Sequence, residues 1–114
     1  MKYQVIDRKD TIIIKLSGDT RNNEALIVKR LLFPYFQKMG ILVIVDLKQL
    51  KSYEPVILVG ILNGIRKEVD FLKGELKLCS MKSELDYYLK ENRLDRVFQV
   101  HKDEKDAIEC RGRR

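Results

Sequence analysis

Residues 41–67, ILVIVDLKQLKSYEPVILVGILNGIRK, set an apolar strand and an apolar helix one after the other with a short polar stretch between them. Residues 41–45 are apolar at every position, so both faces of this strand need cover and its place is the centre of a sheet. The strand is expected to end at Asp46-Leu47. The helix is expected to open near Glu54-Pro55, because proline at the first helical position sacrifices no hydrogen bond and brings its φ already set. Leu58, Leu62, Ile65 and Val69 then follow at helical spacing and form one core-facing stripe, widened by Ile57 and Ile61. Gly60 and Gly64 suggest close packing of that helix against a sheet or partner.

The same reading extends along the chain. Tyr3, Val5 and Ile6 suggest a short first strand, which a polar turn at Arg8-Lys9-Asp10 joins to the β-branched residues 11–17 as a hairpin. Gly18-Asp19 is expected to break that second strand, and Asn22 or Asn23 to cap a helix with Ala25, Ile27, Val28, Leu31, Leu32, Tyr35 and Phe36 on its apolar face. Pro34 should kink or shorten this helix, and Met39-Gly40 should end it. After a turn at Leu72-Lys73-Gly74, residues 75–79 alternate like a half-buried strand. Ser80 or Ser83 is the expected cap of a helix carrying Leu85, Tyr88 and Leu89, and Asn92 is its expected left-handed stop. Residues 97–100 read as a last strand and residues 103–108 as a last helix. The order is β-β-α-β-α-β-α-β-α: an α/β domain with a mixed central sheet of about five strands, about four helices and right-handed crossovers between parallel pairs.

At 114 residues and 45% apolar, the chain suffices for one compact core and is short for two. The expected layout is a domain over 1–108 followed by a basic tail over 109–114. No apolar run reaches the roughly 18 residues of a membrane span, and MKYQVIDRKD lacks the apolar segment of a secretory signal; a cytoplasmic location is the expectation. Half of the net charge of +6 comes from Arg111, Arg113 and Arg114. Elsewhere lysines alternate with acids, as in KDEKD, and no basic strand is interleaved with aromatics, a pattern that disfavours nucleic acid as a partner. Cys79 and Cys110 share no ligand spacing, and the single His101 reads as a strand-end surface residue, so neither a metal site nor a cofactor is expected. Cys79 reads as a small buried hydrophobe.

Leu16-Ser17-Gly18, Val45-Asp46-Leu47 and Leu94-Asp95-Arg96-Val97-Phe98, in that order and at these intervals, resemble the STAS domain of bacterial anti-sigma factor antagonists and of sulfate transporter termini. KDEKDAI resembles the closing acidic helix of that family. The similarity spans Tyr3 to about Ile108. It implies a signalling module that regulates transcription through a protein partner, possessing a turn of Asp-Ser-Ser/Ala-Gly type after the central strand in which a kinase phosphorylates a serine. Counted from Asp46, the acid of that turn falls on Glu54, the serine pair on Pro55 and Val56, and the glycine on Ile57. A second family glycine falls on Val59, and an acid that follows the Ser-Gly turn falls on Arg21. Pro55 and Val56 have no hydroxyl, so the resemblance implies the docking turn without its covalent switch. Ser52 and Tyr53 lie at a different offset, and Ser52 reads as a cap or turn residue.

Three function classes compete. A partner-binding module would use Tyr53, Glu54, Pro55, Val56 and Ile57 together with Asp19 and Asn22, its apolar contact flanked by Glu54 and Lys51. The resemblance implies as partner a GHKL-type anti-sigma factor kinase, or else a stressosome-like assembly or a membrane transporter that the chain serves as accessory subunit; a homodimer is compatible with either. A small-ligand or nucleotide site would need a glycine-rich phosphate cradle, and Gly18-Asp19-Thr20 offers one glycine beside an acid. An enzyme would need more than Asp46, Glu54 and Asp19 at the strand ends, where no histidine or cysteine accompanies them. Asp46 reads instead as an acid that holds backbone N–H groups. The expectation is a non-enzymatic interaction module.

Overall fold

The computed structural model describes residues 2–8, 10–20, 33–35 and 38–109. Five strands form one sheet in the order β1-β2-β3-β4-β5. They are β1 (Lys2–Arg8), β2 (Thr11–Thr20), β3 (Leu42–Tyr53), β4 (Glu75–Cys79) and β5 (Gln99–His101). The β1–β2 pair is the antiparallel hairpin that the sequence leads one to expect, closing at Arg8 opposite Thr11, and the other neighbours are parallel. Among the described residues there are three α-helices: α1 (Pro55–Phe71), α2 (Ser83–Glu91) and α3 (Glu104–Glu109). The helix expected after Asn22 falls mostly outside the described residues, as does Asn22 itself. Its described part, Phe33–Tyr35, is a 3-10 turn built around Pro34.

Strand periodicity divides the core into two layers. On the first face, Ile12, Ile14, Leu16, Val43, Val45, Leu76 and Leu78 pack with Leu58, Leu62, Ile65 and Val69 of α1 and Leu85 and Leu89 of α2. On the second, Ile13, Leu42, Ile44 and Cys79 meet Ala107 of α3. The strand at residues 41–45 is therefore central and covered on both faces, as its unbroken apolar run requires.

Several local expectations need correction. β2 does not stop at Gly18-Asp19, nor β3 at Asp46-Leu47: the two strands continue side by side to Thr20 and Tyr53. Two register shifts make this possible, one between Lys15 and Ser17 and one between Gly18 and Asp19. Each adds a residue to β3, so that Leu47 and Leu50 both reach the core while Lys48, Gln49 and Lys51 are exposed. Gly18 takes φ +81, a left-handed value that suits a glycine at such an irregularity. Neither serine caps α2. Lys82 occupies the cap, Ser83 is already helical, and Ser80 has a positive φ in the preceding turn. The stop after α2 is shared: Asn92 keeps a negative φ and donates from its side chain to the Tyr88 carbonyl, while Arg93 takes the left-handed conformation. Residues 97 and 98 precede the last strand, following a 3-10 turn at Leu94–Arg96, and Phe98 plugs the main core.

α1 closes in a Schellman arrangement, with Lys73 N–H donating to the Asp70 carbonyl and Gly74 N–H to that of Val69. Lys73, not glycine, is the left-handed residue there. Gly74 follows because a Cβ on it would lie 2.2 Å from the Ile41 carbonyl oxygen. Close packing of Gly60 against the sheet is not found: it is exposed, and a Cβ added to it meets nothing within 4 Å among the described residues. Gly60→Ala should therefore raise stability by about 1 kcal/mol through helix propensity and a less flexible unfolded chain. Thermal denaturation checks this, and an unchanged or lower midpoint contradicts it.

Candidate functional site

β3 ends at Tyr53, Glu54 forms the N-cap of α1, and Pro55 takes the first helical position, where the sequence leads one to expect it. Glu54 has an extended backbone at φ −95 and ψ 122, and its carbonyl accepts the first helical hydrogen bond, from Leu58 N–H at 3.0 Å. Its side chain makes no capping bond to the helix. The first turn of α1 contains no acid, so its positive end is not offset from within the helix.

The side chains sort by depth. Tyr53 and Ile57 are half-buried against the main core, Pro55 is half-buried, Glu54 is exposed, and Val56 is 72% exposed. Leu58 next to them is fully buried, so the helix turns from solvent to core within three residues. An exposed valine between two anchored apolar neighbours is an apolar knob on a fixed base. Tyr53 fixes that base from beneath. Its hydroxyl is buried without a hydrogen bond of normal geometry among the described residues, near the first turn of α2. Burial pushes the phenol up, the Glu84 carboxylate adds to this, and the Leu85 backbone opposes it.

Asp19 reaches the same place by pairing: its backbone lies opposite Ser52, and Thr20 opposite Tyr53. The end of β2 thus runs beside the β3–α1 junction, and the exposed Lys48 and Lys51 border it. The two lysines are exposed because the added residues of β3 turn them out of the core, a feature that a strand ending at Asp46-Leu47 would not contain.

Asp46 is not part of this rim. Only 8% exposed, it lies on the face that α3 covers, and its Oδ1 accepts the Lys48 N–H at 2.9 Å. The first register shift frees that amide, and Asp46 satisfies it, which is the backbone-holding role expected of this acid. Across the sheet Lys15, Asp46, Cys79 and His101 stand in one row. Burial, and then the Asp46 carboxylate, push the Cys79 thiol up to about 12, so it stays protonated. His101 ends its strand as expected, but its side chain is only 13% exposed: Nδ1 lies 3.4 Å from Asp106 Oδ2, and Nε2 is buried without a partner among the described residues. Lys77, which alternation alone would leave half-buried, is fully buried, and its Nζ donates to the Ala107 carbonyl at 2.9 Å. Among the described residues, no cluster of histidine, cysteine and acids could hold a metal ion, and no helix is long and apolar enough to cross a membrane.

No protein-family model matches the chain, and no curated protein matches it. Solved structures do. The Bacillus anti-sigma factor antagonist SpoIIAA, in its unphosphorylated form, is 15% identical at a TM-score of 0.76, over 97% of this chain and 97% of its own. An anti-sigma factor antagonist from Mycobacterium paratuberculosis is 15% identical at a TM-score of 0.77, over 96% of this chain and 92% of its own. A substituted form of Moorella thermoacetica RsbS is 14% identical at a TM-score of 0.76, over 96% of this chain and 93% of its own. The likeness is one of backbone path over almost the entire length, reached at identities too low to carry side-chain roles, and it shows that this chain is a single α/β domain with the STAS-like fold of the anti-sigma factor antagonists.

Proposed function

We propose that this chain is a non-enzymatic interaction module of the anti-sigma factor antagonist kind, which regulates transcription by binding a protein partner at the β3–α1 junction without phosphorylation at the usual serine position. One observation carries the reading: Val56, which the STAS resemblance aligns with the phosphorylated turn, stands 72% exposed at the head of α1 on a base anchored by Tyr53 and Ile57. An exposed valine held this firmly gives a partner an apolar contact at little ordering cost. Glu54 and Lys51 are exposed beside it and supply a charged rim, and the end of β2, where the backbone of Asp19 pairs opposite Ser52, extends it. The partner that fits this reading is a GHKL-type anti-sigma factor kinase. Full-length structural likeness to anti-sigma factor antagonists supports that choice.

In the antagonists that the resemblance invokes, a phosphate on the turn would bring about two negative charges into the contact and expel the partner. Pro55 and Val56 cannot accept one. Calorimetric titration with the anti-sigma kinase encoded in the same genome should give the same affinity with ATP as with a non-hydrolysable analogue, and intact mass should show no added phosphate. A mass gain mapped to Ser52 or Tyr53, accompanied by loss of binding in ATP, would overturn the unswitched reading. No binding under either condition would overturn the choice of partner.

A further inference from the structure

Phe71 is 81% exposed, more than any other large apolar side chain among the described residues, and Met39 is 63% exposed. Both stand at the end of the molecule where the parallel strands begin. Phe71 is the last residue of α1 and Met39 lies in the turn before β3; the Gly40 N–H donates to the Leu72 carbonyl at 2.7 Å, which ties one turn to the other. With α1 rising about 1.5 Å per residue, this end is roughly 22 Å from Val56, so the two apolar tips belong to a surface separate from the β3–α1 junction.

The charges around these tips are unbalanced. Asp10 pairs with Lys38, Asp70 Oδ2 lies 3.0 Å from Arg66 Nη1, and Glu75 Oε2 accepts from Gln99 Nε2 at 3.3 Å. Glu68 is half-buried, and Asp7 and Arg8, adjacent and exposed on β1, offset each other. Lys67, one helical turn before Phe71, and Lys73, two residues after it, are exposed and pair with no acid among the described residues. Lys73 also holds φ +56 at a left-handed stop that glycine usually fills, so an ammonium is kept at this place at a conformational cost. The backbone of the turn is satisfied from within: the carbonyls of Glu68, Val69, Asp70 and Leu72 accept from the N–H groups of Leu72, Gly74, Lys73 and Gly40 respectively.

We propose that this end of the molecule docks on an anionic lipid bilayer, with Phe71 and Met39 entering the headgroup boundary and Lys67 and Lys73 meeting the negative headgroups. Apolar tips on two turns need no matching pocket in a surface that deforms around them, and the headgroups supply the negative charge that this end lacks. A turn whose carbonyls are already paired enters that boundary without orphaning them. A second copy of the chain fits poorly, because the same lysines would face each other across the contact.

The chain contains no tryptophan, so Phe71→Trp installs a single fluorescent reporter. Its emission should shift to the blue on vesicles of phosphatidylcholine and phosphatidylglycerol in equal parts, and stay in place on phosphatidylcholine alone. Val56→Trp, at the other end of α1, should shift with neither. In co-sedimentation of the full chain with the mixed vesicles, Phe71→Ser should lower partition by about tenfold, and Lys67→Gln and Lys73→Gln by about fivefold each. Arg111, Arg113 and Arg114 are a competing source of attraction: partition that Phe71→Ser leaves unchanged assigns the binding to them and overturns the proposal. So does a wild-type chain that stays in solution with the mixed vesicles at low salt. An equal blue shift of Phe71→Trp with soluble polyglutamate would mark an acidic protein as the occupant, and a shift that grows with protein concentration in the absence of lipid would mark a second copy; either overturns the lipid assignment.

Discussion

Val56→Asp should abolish partner capture while leaving the fold as stable as before. Surface substitutions away from special features change stability by only about 0.5 kcal/mol either way. Val56 is 72% exposed and its side chain is not counted in the core. An acid in the first turn of α1, which has none, also meets the positive end of the helix and gains about 0.3–1 kcal/mol. The thermal midpoint should therefore hold or rise slightly. Binding moves the other way. A carboxylate taken out of water at an apolar contact without a cation to meet it costs on the order of 3 kcal/mol or more, which corresponds to an affinity loss of about 100-fold or greater. Val56→Ala removes only contact area, so its loss should stay near or below tenfold. Calorimetric titration together with a melting curve separates the two quantities, and wild-type affinity for Val56→Asp removes the β3–α1 junction from the interface.

Gly74→Ala should be among the most damaging single-methyl additions in the described part of the chain. The new Cβ would sit 2.2 Å from the Ile41 carbonyl oxygen, which is backbone and has no rotamer to escape into. That same oxygen accepts the Glu75 N–H at 2.8 Å, the bond that starts β4 alongside β3. Gly74 N–H is also committed, to the Val69 carbonyl at the end of α1. Relief of the clash must therefore pull apart either the helix stop or the start of the strand. Overpacking of about 1–3 kcal/mol and a weakened backbone hydrogen bond of about 1 kcal/mol give a loss of about 3 kcal/mol. For a domain of this size that lowers the melting midpoint by roughly 12 °C or more. A variant melting within about 2 °C of wild type would show that the turn relaxes freely. Gly60→Ala, the same substitution on the same connection but in open space, should move the midpoint in the opposite direction.

Much of the scaffold was legible because it depends on neighbours in sequence. The stripe of Leu58, Leu62, Ile65 and Val69 is set by helical periodicity, and all four are buried. Pro55 opens α1 because its ring fits one helical position well and the interior poorly. The unbroken apolar residues 41–45 called for a strand covered on both sides, and β3 is the middle strand of five. What misled was local chemistry that long-range pairing overrides. Gly18-Asp19 and Asp46-Leu47 read as strand ends, yet β2 and β3 run through them because each offers the other a partner edge. Ser80, Ser83 and Asn92 are favourable cap residues, but the chain path places Lys82 and Arg93 at the special positions.

The order of strands and helices, the opening of α1 at Pro55 and the absence of a hydroxyl at Pro55 and Val56 were determined by the sequence alone, since each is a property of a residue or of a short repeat. The exposure of Val56 beside half-buried Pro55, the two added residues in β3 and the burial of Lys77 were decided only by tertiary structure. Each of these depends on which distant segment lies against the residue, and a side chain's depth and charge environment belong to the pair of segments in contact, not to either one.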